Sequence, residues 1–215
     1  SSNVFFEKVN VSLYLYCNYW ADNIILENGA VIIPYKNAII DMHEMALIIA
    51  KGGIIEIGTD QPRHLKKNTV IQMKEGATWQ VNGSVKLSYN TKIEIQKNAL
   101  FESQFFSMNG RSVIVCQKHI VFGKNVMIGR NVLVYDSDFH YILDSENQII
   151  GGAEDVYIGD DVWLTGNIVV QKGVTIEKGS IIGAYTVVNK DVRAHALAAG
   201  NAKCHVIKDG VKWSR

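Results

Sequence analysis

His140 is the residue whose surroundings best fit it for chemistry. It belongs to the run Asp136-Ser137-Asp138-Phe139-His140, inside a stretch from Tyr135 to Glu154 that is acidic, aromatic and glycine-containing, unlike the regular sequence on either side. Imidazole exchanges a proton near neutral pH, so a histidine within hydrogen-bond reach of a hydroxyl can be the general base that this weak nucleophile needs. Asp138 lies two residues earlier. In an extended segment the two side chains would point the same way, and the carboxylate would either orient the imidazole or bind an acceptor. Asp136 competes for either role. The plainer alternatives are a histidine that packs a loop and carboxylates that are solvated surface charges.

The elements that must position this segment have an unusual period. Ile158, Leu164, Val170, Ile176, Ile182 and Val188 recur every sixth residue, and four residues after each comes Val162, Ile168, Val174, Ser180, Thr186 or Val192, small or β-branched. The same phase runs earlier through Cys116, Phe122, Ile128 and Val134, with Ile120, Val126 and Val132 as companions. A helix repeats near 3.6 and a half-buried strand near 2, so neither accounts for it. A period of six predicts a solenoid in which each hexad is a short strand plus a corner, and stacked hexads bury a common aliphatic column. Gly159-Asp160-Asp161, Gly166-Asn167, Lys172-Gly173 and Lys178-Gly179 suit corners that need tight bends or positive φ. The break between Tyr135 and Glu154 is then an inserted loop on a rigid scaffold, where function tends to concentrate.

Upstream, from about Ala38 to Phe106, short β-type runs such as Ile54–Ile57 and Val70–Met73 read as irregular coils of the same solenoid, and the segment from Gly58 to Asn68 as a loop leaving a corner. The alternation from Val9 to Leu15 predicts a strand. Tyr14, Tyr16, Tyr19 and Trp20 form an aromatic cluster beside Cys17 that either caps the open end of the solenoid or stacks on a sugar ring. The chain of 215 residues carries 22 Lys and Arg against 21 Asp and Glu, which points to neither nucleic acid nor an anionic membrane. Three scattered cysteines, Cys17, Cys116 and Cys204, argue against a disulfide framework or a zinc site and favour a reduced, cytoplasmic setting. No apolar run approaches a membrane span, and no leader pattern is present.

The hexads, the Asp136-to-His140 loop, Ile158-Gly159-Asp160-Asp161-Val162-Trp163, Gly183-Ala184, Lys190-Asp191-Val192 and Gly200-Asn201 together resemble the hexapeptide-repeat O-acetyltransferases, in particular the galactoside, maltose and polysaccharide O-acetyltransferases. The resemblance is strong from about Ser107 to Lys208, architectural from about Ala38 to Phe106, and does not extend to residues 1–35. It implies an all-β fold, a left-handed parallel β-helix over residues 36–208 with an inserted catalytic loop at 135–155, an irregular N-terminal capping segment over 1–35 and a tail at 209–215. It also implies a homotrimer with active sites between subunits.

For chemistry, the resemblance implies transfer of an acetyl group from acetyl-CoA to a hydroxyl of a sugar or surface glycan, with His140 as general base, Asp138 beside it and no metal. Asn109 and Asp136 are the implied acceptor contacts, and Trp163 a wall of the cleft. Gly166, Gly183, Ala184 and Tyr185 are implied to run beside the pantetheine arm, although Tyr185 stands where a glycine is usual. Lys190, Arg193 and Lys203 are candidate phosphate partners. The ending Gly200-Asn201-Ala202-Lys203 lacks the family's proline. Two other classes compete. A hexapeptide-repeat carbonic anhydrase would need two closely spaced zinc-binding histidines, which positions 43, 64, 119, 140, 195 and 205 do not offer. A non-catalytic binding or structural solenoid would not need the histidine loop.

Overall fold

The computed structural model describes residues 8–62 and 64–200, together with the backbone of Lys212–Ser214. The predicted solenoid is a parallel β-helix of triangular section. On its first face Ile24–Glu27, Leu47–Lys51, Thr78–Val81, Leu100–Ser103, His119–Phe122, Val156–Ile158 and Thr175–Ile176 stack as a seven-stranded parallel sheet. Between neighbours in this sheet the backbone passes two other faces before it returns, as two separate strands in the early coils and, between Val156–Ile158 and Thr175–Ile176, as one long strand. The long strands Val126–Tyr135 and Trp163–Val170 each turn a corner and contribute to both of those faces.

Every hexad residue named above is inside. Ile158, Leu164, Val170, Ile176, Ile182 and Val188 fill a common interior as three stacked pairs, Ile158 on Ile176, Leu164 on Ile182 and Val170 on Val188, one pair per face, and their companions Val162 to Val192 are buried with them. Ser180 and Thr186 take companion positions because their hydroxyls donate to the carbonyls of Arg193 (2.8 Å) and Gly183 (2.7 Å), so no buried donor is orphaned. The spacing also explains where the pattern is legible. Tyr157 pairs with Thr175, eighteen residues on, whereas Leu47 pairs with Thr78 across a longer turn. In the wider upstream coils larger side chains fill the interior: Trp79, Phe101, Phe106 and Phe122 are buried together, with Trp79 and Phe101 stacked at 5.7 Å and Phe101 edge-on to Phe122 at 5.2 Å.

The corners require left-handed backbone. Between the second and third faces Asp60, Asn90, Arg111, Asn131, Asn167 and Tyr185 all have φ between 51° and 67°, one above another along the axis. Asn and Asp tolerate this conformation because their short polar side chains bond locally, and here they also stack: Asn131 donates to Asn167 at 2.7 Å.

The N-terminal segment differs from the strand predicted for Val9 to Leu15. Val11–Leu15 is a helical turn capped by Asn10, whose side chain accepts from the Leu13 N–H at 3.1 Å, and Tyr16–Trp20 continues it as a π-helical turn. Period-2 alternation over so few residues is weak, and the segment has a different task. Cys17 is buried and Leu13 packs on the core, while Asn18 bonds both the N–H (3.0 Å) and the C=O (2.8 Å) of Ile32, covering groups that the first coil would leave bare. The backbone of Lys8 to Asn10 shares the capping, with Asn10 N–H donating to the Pro34 carbonyl and Lys36 N–H to that of Lys8, both at 2.9 Å. Tyr16, Tyr19 and Trp20 point outward. The first coil already begins at Ile24, within the stretch expected to be cap.

Candidate active site

The excursion after Tyr135 leaves from the corner between the third and first faces and rejoins the sheet at Val156. Asp136 anchors its root. Its carboxylate is fully buried and accepts the backbone N–H groups of Gln117 (2.7 Å), Lys118 (2.8 Å) and His119 (2.8 Å), one coil earlier. The acceptor-binding position expected for Asp136 does not match this geometry, because its oxygens are turned into the scaffold and closed off from solvent. Burial, and next the charge of Asp136, push the neighbouring Cys116 thiol far above its ordinary range, so that sulfur stays a protonated filler.

Beyond Asp136 the chain bends sharply. Ser137 Oγ accepts the Phe139 N–H at 2.9 Å, and Phe139 has φ of 63°, a left-handed conformation costly for an aromatic residue. Asp138 and His140 therefore do not sit on one side of an extended strand, and the sequence argument that aligned them fails at Phe139. The structure gives Asp138 another partner. Lys172, on the same corner one coil later, reaches Asp138 Oδ2 at 2.6 Å, the Gly152 carbonyl at 2.9 Å and Glu154 at 3.3 Å, tying both ends of the excursion together. Burial disfavours the Lys172 ammonium, but its contacts with Asp138 and Glu154 outweigh this and hold it above the ordinary lysine value.

His140 itself is exposed, just ahead of Tyr141–Leu143. That strand folds back on the chain through a turn in which Asp144 accepts from the N–H groups of Glu146 and Gln148 at 2.9 Å. On its other edge it pairs antiparallel with Lys212–Ser214, so the expected tail returns as a strand that braces the histidine segment. Nothing in the local sequence pattern signals either that return or Lys172. Sequence reasoning also passed over His119. Its ring lies 2.8 Å from Glu102 and 3.6 Å from Asp155, where the excursion rejoins the sheet, and packs edge-on to Tyr157.

The remaining candidates lie elsewhere on the chain. Gly166, Gly183, Ala184 and Tyr185 gather on the corner between the second and third faces, two adjacent coils of it, with Tyr185 67% exposed. Part of their backbone is already used: Gly183 N–H donates to Ala198 and Tyr185 N–H to Gly166. Asn109 lies lower on the same corner, its Oδ1 accepting from Ser88 at 3.5 Å. Trp163 is on the second face, 42% exposed, in register with Met127 and Ile181, which are exposed too. Lys190 is exposed at a later corner, and Arg193 just beyond it. Lys203 lies outside the described residues. One chain thus assembles Asp136, Asp138 and His140 on one corner and the glycine group with Asn109 on another.

No helix among the described residues is long and apolar enough to cross a membrane. No curated protein matches the chain. Among solved structures it is similar to the polySia-specific acetyltransferase NeuO, at 22% identity over 90% of this chain and 90% of that one, with a TM-score of 0.48. It is also similar to the polysialic acid O-acetyltransferase OatWY, at 19% identity over 82% of this chain and 84% of that one, with a TM-score of 0.40. A third is the hexapeptide-repeat-containing acetyltransferase VCA0836 from Vibrio cholerae O1 biovar eltor, solved with acetyl coenzyme A, at 25% identity over 61% of this chain and 63% of that one, with a TM-score of 0.41. The family model that describes the bacterial transferase hexapeptide as six repeats matches residues 155–190. Those residues thus carry the bacterial transferase hexapeptide repeat, and they form the later coils of one continuous parallel β-helix.

Proposed function

We propose that the protein is an acetyl-CoA-dependent O-acetyltransferase acting on a hydroxyl of a sugar or surface glycan, with His140 as general base. The observation that carries this reading is the position of His140: exposed, on an excursion clamped at both ends, directly ahead of the transferase hexapeptide repeat at 155–190. In the reaction, the imidazole takes the proton of the acceptor hydroxyl as that oxygen attacks the thioester carbonyl. The carbon–sulfur bond then breaks, and the imidazolium returns the proton to the departing thiolate. The thioester is already activated, so no acyl-enzyme is required.

The separation of the candidates supports a site shared between subunits. The glycine corner and the His140 corner of one chain are different edges of the prism, and packing copies around a threefold axis sets one edge against the next. The exposed row Met127, Trp163 and Ile181 gives such packing an apolar surface. In this reading the β-helix is left-handed and the protein a homotrimer, the donor arm follows Gly166 and Gly183 to Tyr185, and Lys190, Arg193 and Lys203 are the candidate partners of its phosphates. Lys172 and Asp138 position the loop. The test is acetyl-CoA thiol release with a panel of sugars, for the wild type and His140→Ala. Loss of roughly a hundredfold or more in turnover is expected, and equal turnover in the two proteins overturns the assignment and leaves a binding solenoid.

A further inference from the structure

A cavity of about 540 Å³ opens on the corner between the second and third faces in the first three coils, well away from His140. It is bounded by the short excursion that carries Pro62 and Leu65 and by the turn at Tyr35 to Asn37. That volume is within the range of small-molecule sites.

Its floor is a fixed polar network. Tyr35 Oη donates to Glu56 at 2.8 Å, and Asp60 accepts from Thr59 Oγ1 at 2.8 Å and from Ser88 Oγ at 3.3 Å while pairing with Lys86 at 3.1 Å. Burial, with Glu56 beside it, pushes the Tyr35 phenol up to about 12, so it remains a donor at neutral pH. Each carboxylate offers about four acceptor positions, and these contacts leave some of them open to hydroxyl donors. The walls supply something different. Lys8, Lys36 and Lys66 also line the cavity, and among the described residues none of them has a carboxylate oxygen within 4.0 Å. With Lys86 the lining holds four ammonium groups against two carboxylates, a surplus of positive charge. The Tyr35 ring, Pro62 and Leu65 add an apolar surface of the kind that packs on a sugar face.

From hydroxyl acceptors, surplus cations and an apolar wall in one enclosure, we infer that this cavity binds a sugar bearing an anionic group, either a carboxylate or a phosphate. The ring lies toward Tyr35 with its hydroxyls on Glu56 and Asp60, and the anion meets Lys36 and Lys66. The site is independent of the acetyl-transfer reading, since none of its lining residues belongs to the His140 excursion.

The experiment is calorimetric titration of the whole chain with glucose 6-phosphate, glucuronate, glucose and inorganic phosphate. At least one of the two charged sugars binds about tenfold or more tightly than glucose and than inorganic phosphate, and its affinity falls with salt. Which of the two is preferred identifies the anion. Lys36→Ala combined with Lys66→Ala, both at exposed positions, weakens that sugar about tenfold without changing the thermal midpoint. His140→Ala leaves binding unchanged. The proposal is overturned if no ligand binds at millimolar concentration, if glucose binds as well as the charged sugars, or if inorganic phosphate alone matches them. It is equally overturned if the double variant binds normally or if His140→Ala abolishes binding, since the ligand then lies elsewhere.

Discussion

Lys172 Nζ and Asp138 Oδ2, thirty-four residues apart, meet at 2.6 Å, and through this contact the coil that follows the excursion holds the residues just ahead of His140. Replacing Lys172 by Met removes the clamp while keeping most of the apolar stem. The expected result is a turnover about tenfold to a hundredfold lower at saturating acetyl-CoA, with faster proteolysis near Ser145, and at least partial recovery in Lys172→Arg. Because the folded state holds this ammonium above the usual lysine value, the clamp's contribution to stability is complete at neutral pH and fades only as pH rises through the raised value. Equal turnover and equal proteolysis in Lys172→Met would show that the clamp has no bearing on the loop.

Asp136→Ala tests the anchor at the root. The substitution removes the buried carboxylate that accepts three partly buried backbone N–H groups at this corner, and the expected loss is about 3 kcal/mol in chemical denaturation. Asp136→Asn is also destabilised, because an amide NH₂ would face N–H groups. A denaturation midpoint unchanged in both variants would refute the anchoring role.

Asn18 closes the exposed edge of the first coil. Asn18→Ala removes both bonds to Ile32, at an expected cost of about 1–2 kcal/mol, and leaves the Ile32 N–H and C=O unpaired at the edge of Val31–Pro34. Light scattering should then show association that grows with protein concentration. A variant as monodisperse as the wild type would mean that the neighbouring helical turn protects the edge without it.

Acid should expose a fourth set of contacts. The hydrogen bond and charge of Lys118 hold the Asp155 carboxyl below its ordinary value of 3.8, against a smaller opposing effect of burial. A carboxyl lowered in the folded state stabilises it above the unfolded value, and the benefit disappears as pH falls through the lowered one. The urea midpoints of wild type and Lys118→Met should therefore differ at pH near 6 and draw together only as pH falls below 3.8, through the lowered value. A gap that persists at low pH would assign the effect to packing.

How much could be read from residues alone depended on distance along the chain. The aliphatic column and the corners are local patterns, so Ile158 to Val188 and the Gly and Asn turns were legible, and so was the interruption after Tyr135. Contacts between coils leave no local trace. Asp136 looked like a free loop carboxylate because its donors at 117 to 119 lie a coil away, and Lys172 looked like an ordinary corner residue. The turn from Val11 to Leu15 was misread as a strand, since its conformation is set by Asn10 and by the open end it covers. At Phe139 the backbone takes a conformation that nothing in its side chain announces.

The column of left-handed corners governs how this chain can acquire new parts. A segment spliced into the middle of a flat would shift every later side chain out of phase with the coil beneath, whereas one spliced at a vertex departs and returns without disturbing the stack. The excursions around Pro62 and Phe139 leave at different vertices, the first with only a one-residue shift of register between Ile57 and Thr59. Histidine loop and polar cavity are thus separate grafts on one prism, and either could be exchanged for another while the rest of the winding kept its register.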